Sequence, residues 1–282
     1  MKSPKKILIA NRGVIAIRAL RAAKELGYQV ASVYSTIDKD QKHLKLSDEA
    51  ICIGPAAAKD SYLNEAAIIS AAELASADAI YPGYGFLAEN SSFAEKCNQS
   101  GFKFVGPDPK VIGIMGNKIK AKELVESLGV PIVPGYTGRI ESKEQVEKIT
   151  DHIGYPVIVK ASAGGGGKGM RVVLEKEQLW DSVVSAQNEA RLAFGNDEVF
   201  IEKCLQKPRH IEVQVFGDGK GKMVHLFSRD CSLQRRYQKI VEEAPAKNIP
   251  LDKLTEIQDI CVKACAAVSY THLTLPTRCL GW

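Results

Sequence analysis

Short apolar runs typical of β-strands alternate with helical patterns from residue 5 to about residue 130, and this alternation constrains the fold more than any other feature. The strand candidates are Lys6–Ala10, Gln29–Tyr34, Ala50–Ile53, Ala79–Tyr81 and Lys103–Val105. The helical patterns are Val14–Leu26, Asn64–Ala75, Ser91–Gln99 and Asn117–Leu128. Strands linked through helices at this spacing require right-handed crossovers, so we predict an α/β domain built on a parallel sheet.

Composition and length exclude several classes of protein. The 282 residues are 45% hydrophobic and 25% charged, which fits a folded chain of about two domains. A formal charge of +5 is too small to indicate a dedicated nucleic-acid binder. No apolar run is long enough for a membrane span, and the first run breaks at Asn11, so we expect no membrane segment or secretory signal. Seven cysteines without a Cys-x-x-Cys pair and five scattered histidines predict a reduced, cytoplasmic protein without structural zinc.

Two turns lie where predicted strands of the first domain end. Asn11-Arg12-Gly13 follows the first strand and opens a helix, but it holds one glycine, so a tight turn is favoured over a dinucleotide site. The loop Tyr81–Phe86 follows the fourth strand, with Glu89 shortly after it. Open α/β sheets bind ligands at this edge, so a polar site is one interpretation and a packed aromatic turn is the other.

A glycine-rich segment separates two further strand candidates, Pro156–Ser162 and Met170–Leu174. It runs from Gly164 to Gly169 and contains Lys168. The spacing matches Gly-x-Gly-x-x-Gly, but a strand follows instead of a helix, and Lys168 is not followed by Ser or Thr as in a Walker loop. We therefore predict a hairpin whose tip is a lid that closes over phosphate through its N–H groups; a surface linker is the alternative.

Lys160 stands in an otherwise apolar strand and needs an anionic partner, which is either a phosphate or an interior carboxylate. The run from Phe200 to Lys203 is another strand with paired charges, suited to a nucleotide or to an exposed edge. His210–Phe216 and Lys222–Arg229 predict an antiparallel hairpin. Basic residues interleaved with Gln and Tyr at 234–239 suit a small planar anion, and a solvated face is the alternative.

Six segments together resemble biotin carboxylase, a family with the ATP-grasp architecture. They are Ile9–Gly13, Tyr81–Asn90, Met115–Lys118, Val159–Met170, Pro208–Glu212 and Gln234–Lys239. The resemblance covers about residues 5–266 and is greatest to the biotin carboxylase subunit of acetyl-CoA carboxylase. It implies a pre-ATP-grasp N-terminal domain at 1–115, an incomplete ATP-grasp domain with its lid at 116–267, and an off-family tail at 268–282.

The resemblance also implies a reaction. ATP and bicarbonate form carboxyphosphate, with Mg²⁺ or Mn²⁺, and the carboxyl group passes to biotin on a carrier protein, as in the first step of fatty acid synthesis. Pyruvate, propionyl-CoA and methylcrotonyl-CoA carboxylases contain the same domain. The implied partners are a biotin carboxyl carrier protein, carboxyltransferase subunits and a second copy in a homodimer.

Family motifs assign site residues by position. ATP phosphates or base contact Lys118 and Lys160, and the lid contributes Gly166 and Gly167. The adenine and ribose pocket contains Glu202, Lys203, Leu205 and His210, with a further nucleotide contact at Tyr237. Bicarbonate is held by Lys239 and Arg236, and the fork of donors on arginine suits a planar carboxylate.

Three departures from the family pattern affect these expectations. Val14 stands where the family usually has Glu, and Tyr237 where it usually has His. Residues 268–282 do not resemble the segment that carries the family's metal-binding acids and catalytic arginine, so we expect no metal ligands in this chain. We interpret the tail as a frame break or cloning scar, with a short isoform as the alternative.

The tail leads to the expectation of a poor or inactive catalyst with an exposed hairpin face at 209–230. The competing functions are a nucleotide-binding fragment without turnover, another ATP-grasp ligase and, weakest, a nicotinamide oxidoreductase.

Overall fold

The computed structural model describes residues 5–162, 170–219, 221–235 and 238–267. The predicted lid residues Gly166 and Gly167, the predicted ligands Arg236 and Tyr237, and the tail 268–282 lie outside the described residues. The chain divides into two compact units; the main part of the first ends at Gly113, and the second begins at Ile114. In the described part of the chain, no helix combines the length and the apolar character needed to cross a bilayer.

The first unit is built on a five-stranded parallel sheet with the order β3-β2-β1-β4-β5, as the alternating pattern predicted. Its strands are β1 (Lys6–Ile9), β2 (Gln29–Tyr34), β3 (Glu49–Cys52), β4 (Ala79–Tyr81) and β5 (Lys103–Phe104). The α-helices up to its boundary are α1 (Gly13–Glu25), α2 (Lys42–Leu46), α3 (Glu65–Leu74), α4 (Ser91–Gln99) and α5 (Pro109–Gly116), with 3₁₀ helices at Thr36–Asp38 and Ala58–Asp60.

Capping and burial explain these elements. The side chains of Asn64 and Asn90 accept hydrogen bonds from the backbone of Ala67 and Phe93, and so begin α3 and α4. The central strands contribute fully buried residues such as Leu8, because both faces of a parallel sheet are covered by helices. Because β1 and β4 are parallel neighbours, their carboxyl ends lie along one edge of the sheet.

The second unit contains a four-stranded antiparallel sheet with the order β6-β9-β7-β8. Its strands are β6 (Gly135–Tyr136), β7 (Val157–Ala161), β8 (Arg171–Val173) and β9 (Val199–Lys203). Two-stranded sheets follow in β10 (Ile211–Gly217) with β11 (Met223–Asp230) and in β12 (Gln234–Arg235) with β13 (Gln238–Lys239). The helices are α6 (Lys118–Ser127), α7 (Lys143–Ile153), α8 (Leu179–Phe194) and α9 (Leu251–Ala267), with a 3₁₀ helix at Lys176–Gln178.

The predicted pairing on either side of the glycine segment is confirmed, because β7 and β8 are antiparallel with Val157 opposite Val173. The sequence pattern did not predict α8, β6 or the β12–β13 pair. Helix α8 packs on β7. Its fully buried residues Leu179, Val183 and Ala186 belong to the same core cluster as residues of β7. The spacing of these three residues is helical and could have identified α8.

The β10–β11 hairpin has both packed and exposed side chains. Helix α9 packs against β11. The large apolar side chains that the hairpin leaves exposed include Phe216, Val224, Leu226 and Phe227. These exposures agree with the expected apolar hairpin surface.

Candidate functional site

Two lysine side chains from separate elements of the second unit meet the carboxylate of Glu202. In the pairing of β7 with β9, Ile158 lies opposite Glu202 and Lys160 opposite Phe200, so Lys160 and Glu202 point to the same face. The Lys160 Nζ lies 2.5 Å from Glu202 Oε2. Lys122 of α6 places its Nζ 2.8 Å from Glu202 Oε1 and donates to the carbonyl of Val133 at 2.8 Å.

The electrostatics of this triad keep Glu202 ionised. Burial acts to raise the pKa of Glu202, but the ammonium groups of Lys160 and Lys122 outweigh it and hold the pKa below its usual value. One carboxylate thus faces two ammonium groups. Of the two alternatives that the sequence left open for Lys160, the structure shows the interior carboxylate, while the side chain of Lys160 remains 27% exposed.

Other predicted nucleotide residues lie around this triad or on the opposite strand face. Lys118 begins α6 and donates from Nζ to the carbonyl of Ala161 at 3.1 Å, next to Lys160. Lys203 points to the face of β9 opposite Glu202 and donates to the carbonyls of Gly154 and Tyr155 at 3.0 Å and 2.8 Å. Leu205 follows β9 and is 41% exposed.

A second buried carboxylate, Glu212 of β10, organises the predicted anion residues. It is 2% exposed and forms ion pairs with Lys239 and Arg229. Arg229 Nη1 also lies 3.0 Å from Glu242 Oε2. The ring of His210 contacts the side-chain amide of Gln234. Burial and the nearby charge of Lys239 lower the pKa of His210, which favours the neutral imidazole.

The implied magnesium ion does not fit the described residues at this cluster. Among the described residues, the side chains whose ligand atoms lie close enough together to hold a metal ion are those of Glu212, Cys231 and Glu242. Both acids already pair with cations, and burial together with Glu212 raises the pKa of the Cys231 thiol to about 11. Mg²⁺ prefers an octahedral shell of oxygen ligands and not a protonated thiol.

The first unit contains a polar cluster that sequence analysis did not predict. The Asp38 carboxylate accepts hydrogen bonds from Ser35 Oγ at 2.6 Å and from Tyr62 OH at 2.8 Å, and Arg12 Nη1 lies 3.0 Å away. The Arg12 guanidinium lies over the rings of Tyr62 and Phe86, at 5.1 Å and 5.6 Å from their centroids. No local spacing in the sequence links Asp38 to Tyr62.

The two predicted loops at the sheet edge are joined in the structure. Asn11 Nδ2 donates to the carbonyls of Pro82 and Tyr84 at 2.7 Å and 3.0 Å. A Cβ atom at Gly83 would lie 2.6 Å from the Ile15 side chain, so this close approach requires glycine. A cavity at this edge is lined by Asn11, Arg12, Val14, Ile15, Tyr84, Gly85 and Phe86.

Two separate parts of this chain match known protein families. Residues 117–274 match the family described as "Carbamoyl-phosphate synthase L chain, ATP binding domain". Residues 3–112 match "Biotin carboxylase, N-terminal domain". The first match defines an ATP-binding class of protein. With the second match, the chain belongs to the biotin carboxylase family.

Individual relatives agree. A biotin carboxylase from Pseudomonas aeruginosa is 53% identical over 266 residues, which is 94% of this chain and 59% of the relative. The structure of a Campylobacter jejuni biotin carboxylase–β,γ-ATP complex is similar with a TM-score of 0.93 and 49% identity, over 95% of this chain and 60% of the other.

A biotin carboxylase domain of 2-oxoglutarate carboxylase from Hydrogenobacter thermophilus, solved as a dimer with MgADP, ADP and bicarbonate, has a TM-score of 0.91 and 45% identity. That match covers 96% of this chain and 60% of the other. The chain thus spans about 60% of the length of each of these three proteins.

Proposed function

We propose that this chain is the N-terminal and ATP-binding part of an ATP-dependent biotin carboxylase. The whole protein uses bicarbonate and ATP, with Mg²⁺, to carboxylate biotin on a carrier protein. The observation that carries the proposal is the 53% identity to a biotin carboxylase over 94% of the chain. The proposed domains are the N-terminal domain at residues 1–115, the ATP-grasp domain at residues 116–267 and the tail at residues 268–282.

The geometry of the second unit supports ATP binding. Lys160 and Lys118 bring two ammonium groups to the end of β7, and Lys160 belongs to a triad with more positive than negative charge. A nucleotide phosphate supplies the missing negative charge, since a partly buried excess of charge favours an anionic ligand. Glu202, Lys203, Leu205, His210 and Tyr237 are assigned to the nucleotide, and Gly166 and Gly167 to the lid.

We assign the bicarbonate site to the charged residues around Glu212, which include Arg229 and Lys239. Lys239 and Arg236 are the residues proposed to hold bicarbonate. Lys239 and Arg229 are fixed on Glu212 before any ligand arrives. This preorganisation reduces the cost of ordering long side chains around a small anion. When bound, Mg²⁺ supplies charge neutralisation on the phosphates; its ligands are assigned to parts of the whole protein outside the described residues.

The carboxyl acceptor of the whole protein is proposed to be acetyl-CoA, with a biotin carboxyl carrier protein and carboxyltransferase subunits as partners, homodimerisation and a cytoplasmic location. The support is the resemblance in sequence. A 2-oxoglutarate carboxylase among the similar structures shows that related domains serve other acceptors.

The first test is the heat stability of the 282-residue chain with and without MgATP. We expect MgATP to raise the midpoint of unfolding, because a ligand of the folded state stabilises it by about 2.7 kcal/mol at 100 times its Kd. Lys160→Met should lose this increase, whereas Lys148→Met, which changes an exposed lysine of α7, should retain it. A midpoint that MgATP leaves unchanged would refute the proposed site.

A second candidate is nucleotide binding without turnover by these 282 residues. It is favoured because the metal-ligand cluster of the described residues does not fit Mg²⁺. Release of ADP that depends on biotin and bicarbonate distinguishes the two candidates. Release supports the full reaction, and an ATP-dependent gain in heat stability without release supports binding alone.

A further inference from the structure

Lys122 is a buried lysine that neither the family motifs nor the local sequence pattern assigns. Lys122 as a whole residue is 6% exposed, and its ammonium group donates to Glu202 Oε1 and to the carbonyl of Val133. Lysines are almost never buried to this degree without a specific partner. The partner of Lys122 is the same carboxylate that pairs with Lys160, so the two lysines are coupled through Glu202.

The two lysines differ in their access to solvent. The Lys122 side chain is 8% exposed, whereas the Lys160 side chain is 27% exposed. An anion from solvent therefore reaches Lys160 and not Lys122. To bind that anion fully, the Lys160 ammonium moves from Glu202 Oε2 to the ligand. Glu202 must then keep its second cation, because a buried carboxylate without a partner is strongly unfavourable.

We propose that Lys122 is a positioning residue for nucleotide binding: it keeps the buried carboxylate of Glu202 paired, so that the Lys160 ammonium can move to a nucleotide phosphate. This inference rests on the proposed ATP site and adds to it a residue that touches neither nucleotide nor metal. In the ligand-free state Glu202 pairs with both lysines, and in the bound state it pairs with Lys122 alone.

The surroundings of Lys122 fix it for this role. Gly135 of β6 lies directly opposite Glu202 in the pairing with β9. A Cβ atom at Gly135 would lie 2.5 Å from the Ile201 carbonyl oxygen and 3.1 Å from Lys122 Nζ. The glycine thus lets β6 pass close to the buried ammonium, and the Val133 carbonyl gives that ammonium a second fixed acceptor.

The test compares Lys122→Met with Lys120→Met in the full 282-residue chain. Lys120 is an exposed lysine on the same helix and serves as the matched control. Calorimetric titration with MgATP is expected to give a Kd about tenfold higher for Lys122→Met. Lys120→Met should keep the Kd of the unmodified chain. Adenosine, which has no phosphate, should bind all three proteins equally.

A second substitution separates positioning from a merely structural role. Glu202→Gln removes the carboxylate that would be left unpaired, so adding Lys122→Met to Glu202→Gln should change the Kd for MgATP by less than about threefold. Thermal unfolding without nucleotide confirms that each variant is folded. If Lys122→Met alone does not fold, the two proteins that carry Glu202→Gln decide: a Kd about tenfold higher in the double variant than in Glu202→Gln alone overturns the proposal.

The pH dependence supplies an independent readout. The described cations that contact the Glu202 carboxylate are Lys122 of α6 and Lys160 of β7, while β6 faces it with Gly135. In Lys122→Met, Glu202 can take up a proton when Lys160 leaves, so the ratio of variant to unmodified Kd should decrease as the pH is lowered. Taking the ratio cancels the ionisation of ATP itself.

Three further results overturn the proposal. They are equal Kd values for Lys122→Met and the unmodified chain, an equal loss of adenosine binding in Lys122→Met, and a Kd ratio independent of pH. Failure of the proposed function looks different, because the unmodified chain and Lys120→Met would then both fail to bind MgATP.

Discussion

Each of the two units holds a buried carboxylate at its polar cluster, but the two carboxylates are neutralised differently. Asp38 in the first unit has one cationic partner, Arg12, and accepts two further hydrogen bonds from the neutral hydroxyls of Ser35 and Tyr62. Glu202 in the second unit has two cationic partners, Lys122 and Lys160. The Asp38 cluster is balanced in charge, whereas the Glu202 cluster has an excess of one positive charge.

The difference indicates what each cluster can do. A hydrogen-bonded cluster that is balanced in charge holds loops together, and the cluster around Asp38 fixes Arg12 over two aromatic rings at the sheet edge. A cluster with excess charge favours an anionic ligand, because a buried charge without a partner is costly. A buried carboxylate thus belongs to a charge-balanced cluster in the first unit and, in the second unit, to the cluster that we propose binds an anion.

The largest effect that this comparison predicts follows from Glu202→Gln. The change leaves two ammonium groups with no anionic partner in an environment where the Glu202 side chain is 11% exposed. We expect a loss of about 3–5 kcal/mol in the free energy of unfolding, measured by urea titration. Glu177→Gln, at an exposed position, should change it by less than about 0.5 kcal/mol. A loss below about 1 kcal/mol for Glu202→Gln would show that the lysines find other partners.

Asp38→Asn should cost less, about 1.5–3 kcal/mol, because the neutral hydroxyl donors remain and Arg12 is partly solvated. Burial acts to raise the pKa of Asp38, but Ser35, Tyr62 and Arg12 hold it below the ordinary 3.8. A carboxylate with a lowered pKa in the folded state stabilises the protein above its unfolded pKa and loses that effect as the pH falls through the folded value.

The difference in unfolding free energy between Asp38→Asn and the unmodified chain should therefore be constant near neutral pH and shrink below about pH 4. Urea titrations at a series of pH values measure it. A difference that grows towards acid pH would contradict the assigned sign.

Gly135→Ala should have the smallest effect of the three, about 1–3 kcal/mol of destabilisation, because its Cβ meets the Ile201 carbonyl and approaches Lys122. Gly116→Ala is the matched control, since a Cβ there meets nothing within 4 Å. Thermal unfolding of both variants measures the effect. Equal midpoints for the two would mean that β6 moves away from Glu202 without cost.

Sequence periodicity was sufficient for much of the fold. The predicted strand at Gln29–Tyr34 and helix at Ser91–Gln99 have the bounds seen in the structure, because each pattern is local and is strengthened by a cap such as Asn90. The missed strand β6 is two residues long and has no period to detect. Helix α8, which was not predicted, has a helical spacing of buried residues that is present in its sequence.

For the site, the sequence indicated that Lys160, within an apolar strand, needs an anion, because burying an ammonium group without a partner is costly in any fold. Only the tertiary structure decided that this anion is Glu202, 42 residues away, and that Lys122, 80 residues from Glu202, shares it. Residue spacing reports neighbours within one helix or strand. Which side chains meet across elements is fixed by strand register and helix packing, which form only when the whole core assembles.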